Sequence, residues 1–162
     1  MTSGLTWFNA LPPADAEREL RACCASAQWA AQVAARRPYK DEAALNAAAD
    51  AAFEGLDIDE PLAAHPRIGD RPEGSGRAAA WSRGEQAGVG EDARAALREG
   101  NLAYEKRFGR VFLICATGLS AREMLEDLER RLGHDDATEH RTVRGELLKI
   151  THLRLAKLLE HP

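Results

Sequence analysis

At 162 residues the chain is long enough to bury one substantial core and too short for two comfortable domains, so residues 1–162 are read as one domain. With 44% hydrophobic and 30% charged residues and a formal net charge of -4, it lacks the basic excess that a nucleic-acid-binding face needs. Its longest apolar run, VFLICA, has about a third of the roughly 20 residues of a membrane span, so neither nucleic acid nor membrane is an expected partner.

The opening MTSGLTWFNALPP has no charged leader and no long apolar stretch, which predicts no signal peptide and a cytoplasmic location. Alanine, leucine, glutamate and arginine dominate the rest, so intrinsic preference favours helix nearly throughout and the expected fold class is all-α, one multi-helix domain. ADAERELRACCASAQWAAQVAARRP reads as two helical pieces ended by Pro38. Cys23 and Cys24 within it, with Cys115, are odd in number and show no C-x-x-C spacing, which points to buried reduced thiols, with a catalytic thiol as the less favoured alternative. KDEAALNAAADAAFEGL follows as a helix with Leu45, Ala48, Ala52 and Leu56 at helical spacing and Gly55 near its exit.

A short piece, IDEPLAA, then leads into His65-Pro66. A residue before proline is pushed out of helical geometry, so His65 should stand at a helix exit on a stiff chain. Its imidazole suits proton exchange near neutral pH, although a lone histidine there is also an ordinary hydrogen-bonded helix end. From Arg67 to Gly90 the composition changes to RIGDRPEGSGRAAAWSRGEQAGVG, an irregular stretch of the kind that is functional or disordered. Within it Glu85 and Gln86 set a carboxylate beside an amide, able to hold a small polar ligand or simply to be solvated.

EDARAALREGNLAYEKRFG resumes the helical pattern, with Ala93, Leu97, Asn101, Tyr104 and Phe108 on one stripe and Gly109 as its stop. RVFLICATG fits either a short buried strand or a buried helical turn. Ser120 with Glu123 forms a capping box ahead of Met124, Leu125, Leu128 and Leu132, with Gly133 as the stop. Asp136 with Glu139 opens a final helix to about Leu159. On its apolar stripe of Val143, Leu147, Ile150 and Leu158, Arg154 takes a core-facing place. A guanidinium there needs an anionic partner from the protein or a ligand, unless its stem carries the charge to the surface. No H-E-x-x-H occurs and His134, His140, His152 and His161 are irregularly spaced, so no metal site is expected.

HPRIG, WSRGEQAG, NLAYEKRFGRVFLICATG, the RL pair at 131–132 and KITHLRL, in this order, resemble the decarboxylases that convert 2-oxo-4-hydroxy-4-carboxy-5-ureidoimidazoline (OHCU) into (S)-allantoin in urate degradation. The likeness extends over nearly the whole chain, from FNALPPADAERELRACCASAQWA onward. It implies an all-helical, cofactor-free carboxy-lyase, commonly dimeric, with a small ureidoimidazoline substrate and an association with 5-hydroxyisourate hydrolase. Carried over residue by residue, His65 and Glu85 are the catalytic pair, while Pro66, Ser82, Gln86, Arg154 and the backbone near Phe112 and Ile114 bind substrate. Two other classes remain open on the residues alone: a ureide-binding or sensor module without turnover, and a helical interaction protein in which Arg154 pairs internally.

Overall fold

The computed structural model describes residues 3–67, 80, 81, 83 and 91–160. Among these residues all regular structure is helical, as expected: α1 (Ser3–Ala10), α2 (Pro13–Cys23), α3 (Ala27–Ala35), α4 (Glu42–Phe53), α5 (Asp59–Ala63), α6 (Glu91–Phe108), α7 (Ala121–Arg131) and α8 (Asp136–Glu160). None is long and apolar enough to cross a membrane. The chain gathers into two compact units, one of Met1–Pro61 with Leu148–Pro162 and one of Leu62–Leu147.

In the first unit α2 packs on α3 and α3 on α4. Proline at the first position of α2 costs nothing, because that N–H has no helical partner in any case. Ser26 caps α3 by accepting the Trp29 N–H at 3.2 Å, and Asp41 caps α4 through the Ala44 N–H at 2.8 Å. Trp29 is fully buried and its indole N–H donates to the Ala49 carbonyl at 3.1 Å, which joins α3 to α4 without leaving a polar atom unsatisfied. α1 was not foreseen from sequence. It buries Leu5 and Phe8, and its Gly4 lies so close to the end of α8 that a Cβ there would stand 1.7 Å from the Leu159 carbonyl oxygen. Arg37 secures the end of α1, donating through Nη1 to the Phe8 and Leu11 carbonyls at 2.9 and 2.7 Å.

The second unit is built on Leu97, Tyr104, Phe112, Ile114, Ala116, Met124 and Leu128. The foreseen stripe of α6 is observed, including the buried Asn101. Gly109, at φ +74°, ends that helix in the left-handed region where glycine carries no steric penalty. The Ser120–Glu123 capping box is present in both its hydrogen bonds. One reading needs correction. RVFLICATG is neither strand nor helix: residues 111–116 run without regular structure, and side chains rather than a neighbouring strand take its backbone groups. α8 opens at Asp136 with Glu139 in its first turn, as expected; Asp135 caps it by accepting the Thr138 N–H at 2.7 Å, and Glu139 turns inward and is buried.

Candidate functional site

His65 stands where the proline argument puts it. α5 stops at Ala63, the His65 N–H donates back to the Leu62 carbonyl at 3.1 Å, and Pro66 forbids another turn. His65 and Pro66 are half-buried. Arg67 then fastens the bend to α6, its Nε 2.8 Å from Glu105 Oε1.

Phe112 and Ile114 lie in the irregular run and are almost wholly buried. The run is held from two sides. Arg131, on α7, donates through Nη1 to the Leu113 carbonyl at 2.8 Å, and Glu146, on α8, accepts the Cys115 N–H at 3.1 Å. Arg131 itself is fully buried. Its Nε and Nη2 reach Glu139 Oε2 at 2.9 and 2.6 Å, and its guanidinium lies over the Phe112 ring at 4.6 Å. The Tyr104 hydroxyl also donates to Glu139, and His134 Nδ1 lies 3.1 Å from the same carboxylate. Burial, reinforced by the neighbouring Glu139 charge, holds the Tyr104 phenol well above its ordinary pKa.

Arg154 belongs to the first unit, where its side chain is buried, so the alternative of a stem carrying the charge to the surface is set aside. Nη1 donates at 3.2 Å to the carbonyl of Ala22, in the last turn of α2, where helix carbonyls lack intrahelical donors and a positive charge is favourable. Thr151, one turn earlier on α8, and Cys24 are buried beside it. Burial pushes the Cys24 thiol up to about 11, against the opposing pull of a hydrogen bond with Thr151 and the Arg154 charge. A buried protonated thiol is a poor nucleophile, which removes Cys24 as a catalytic candidate. Cys23 is buried as well, whereas Cys115 is only half-buried, and none of the three is joined in a disulfide.

Ser82, Glu85 and Gln86 lie outside the described residues. Their described neighbours Ala80, Trp81 and Arg83 have helical backbone, so the Arg67–Gly90 stretch is not irregular at those positions. His65, Pro66, Phe112 and Ile114 thus belong to the second unit and Arg154 to the first. Sequence reasoning gave no role to Arg131, met only as the first residue of the RL pair, or to Glu146, and read Glu139 only as part of the opening of α8. Two of them carried the signal used for Arg154: Arg131 follows Met124 and Leu128 along one helix face, and Glu139 precedes Val143 by four residues.

The family model for OHCU decarboxylase matches residues 9–156 of this chain. A 2-oxo-4-hydroxy-4-carboxy-5-ureidoimidazoline decarboxylase of Amia calva is 33% identical over 141 residues, covering 82% of this chain and 81% of the relative. The uric acid degradation bifunctional protein TTL of Arabidopsis thaliana is 35% identical over 151 residues and 88% of this chain, which spans only 47% of that longer protein. Among solved structures, an OHCU decarboxylase crystallised in the presence of (S)-allantoin superposes with a TM-score of 0.74 at 32% identity, over 88% of this chain and 97% of the other.

Proposed function

Since this chain belongs to the OHCU decarboxylase family, we propose that it converts 2-oxo-4-hydroxy-4-carboxy-5-ureidoimidazoline into (S)-allantoin and carbon dioxide, with residues 1–162 acting as one catalytic domain. The observation that carries this reading is a match running through both units, with relatives of the same description aligned along most of their own length.

The substrate carries its own electron sink. The carbon that bears the carboxylate and a hydroxyl adjoins a carbon–nitrogen double bond. As carbon dioxide leaves, the bonding pair becomes a new carbon–carbon double bond and the nitrogen takes up a proton. No added cofactor is needed for that step. In this reading His65 accepts the hydroxyl proton, and a proton then reaches one face of the adjoining carbon, which sets the S configuration. Glu85 orients the imidazole or holds the ureido nitrogens, Ser82 and Gln86 fix the ring, Pro66 and the backbone at Phe112 and Ile114 line it, and Arg154 attracts the carboxylate. The same reading has the protein working as a cytoplasmic homodimer associated with 5-hydroxyisourate hydrolase.

Urate, urate oxidase and 5-hydroxyisourate hydrolase generate the labile substrate in the cuvette, and circular dichroism follows the product. Fast growth of the (S)-allantoin signal on adding this protein is the expected result. A racemic product formed at the spontaneous rate rejects the assignment.

A further inference from the structure

We propose that Arg131 and Glu146 are positioning residues that aim the main chain of Ile114 at the substrate, an inference that rests on the reading that the 112–114 backbone contacts the ureidoimidazoline. Arg131 Nη1 holds the Leu113 carbonyl at 2.8 Å, and Glu146 Oε1 holds the Cys115 N–H at 3.1 Å. Among the described residues the cis peptide precedes Pro38, so both peptides flanking Ile114 are trans. In a trans peptide the C=O of one residue and the N–H of the next point in opposite directions. Gripping the Leu113 carbonyl therefore turns the Ile114 N–H away from Arg131. Gripping the Cys115 N–H likewise turns the Ile114 carbonyl away from Glu146.

One buried residue thus presents a main-chain donor and a main-chain acceptor, each with its direction set by a side chain on a different helix. A ureido group or a cyclic amide offers the complement, an N–H beside a C=O. The grip is stiff on the Arg131 side, because the same guanidinium is fastened to Glu139 through Nε and Nη2 and covers the Phe112 ring. Groups fixed before the ligand arrives lose little freedom on binding, which is the reason to build such a contact from held backbone rather than from a mobile side chain.

Glu146→Gln keeps an oxygen acceptor in place for the Cys115 N–H, whereas Glu146→Leu removes it. In the coupled circular-dichroism assay Glu146→Leu should raise KM roughly tenfold, the order expected for a lost hydrogen bond, with a smaller change in kcat. Glu146→Gln should return KM to near the unmodified value. Arg131→Lys retains a charge for Glu139 but has no second arm for the Leu113 carbonyl, and should raise KM similarly; should it unfold, the Glu146 pair decides. An unchanged KM in Glu146→Leu, or equal damage in Glu146→Gln and Glu146→Leu, overturns this proposal and leaves the decarboxylase reading intact. No acceleration by the unmodified protein overturns that reading and takes the positioning role with it.

Discussion

Arg131 Nη2 lies 2.6 Å from Glu139 Oε2, and the two side chains are 0% and 2% exposed. A charge that deep is tolerable only while its counter-charge and hydrogen bonds are in place, so the two residues stand or fall together. Glu139→Ala takes away the guanidinium's buried counter-charge and leaves it only the more exposed Asp127 Oδ2, 3.3 Å from Nη1, and removal of one member of a buried pair costs about 3–5 kcal/mol. Urea denaturation should show that loss in the single variant. The double variant Arg131→Met/Glu139→Leu should lose less than the sum of its two single changes, because neither charge is left alone.

The same carboxylate gives the fold a pH dependence in the alkaline range. Burial and Glu139 raise the Tyr104 pKa in the folded state. Below the ordinary tyrosine value, about 10, folded and unfolded chains both keep the phenolic proton and the full contribution is present. As pH rises past it the unfolded chain ionises first, and stability is lost on the way up to the folded pKa. Between about pH 9 and 11 the unmodified protein should therefore lose more unfolding free energy than Tyr104→Phe. Parallel slopes for the two proteins would contradict this.

Two glycines predict opposite outcomes from the same substitution. A Cβ at Gly4 meets the Leu159 carbonyl at 1.7 Å, whereas one at Gly145, within α8, meets nothing within 4 Å. Gly4→Ala should cost about 1–3 kcal/mol or more, as backbone has to move apart. Gly145→Ala should add about 0.5–1 kcal/mol, since alanine loses less freedom in a helix. Thermal unfolding of both variants tests the contrast.

Thiol labelling should separate the three cysteines. Cys23 and Cys24 are buried and the Cys24 pKa is raised to about 11, so at mildly alkaline pH iodoacetamide should modify the half-buried Cys115 first. Cys24 should react only once urea unfolds the chain. Mass spectrometry of peptides carrying residues 23–24 and 115 reads the order directly.

In the allantoin assay His65→Ala should lower kcat roughly 10²–10⁴-fold, the range for a positioned acid or base. Arg154→Met should act mainly on KM, because the role proposed for the guanidinium is to attract the substrate rather than to handle its protons. An Arg154→Met protein with wild-type KM would remove Arg154 from substrate binding.

Local chemistry was legible in the sequence wherever one residue dictates its surroundings. Pro66 ends the chain's helical course at His65, Ser120 with Glu123 caps α7, and the interval from Ile150 to Arg154 to Leu158 puts a cation on a buried face. What escaped depends on groups distant in the chain. The run 110–118 has the composition of a strand, yet its carbonyl and amide partners are Arg131 and Glu146, 18 and 31 residues away, and no short-range pattern encodes such a pairing. α1 was missed for a similar reason: its eight residues owe their place to Gly4 lying against Leu159 and to Arg37 reaching the Phe8 and Leu11 carbonyls, rather than to strong helical periodicity. Glu85, Gln86 and Ser82 stay as motif residues, lying outside the described part of the chain.

The grip on Cys115 goes through an amide hydrogen that every residue except proline owns. On the proposed positioning role, position 115 should therefore accept other small side chains, while the glutamate 31 positions downstream should not be replaceable. Related chains should therefore vary where the loop is held and agree where the holding is done.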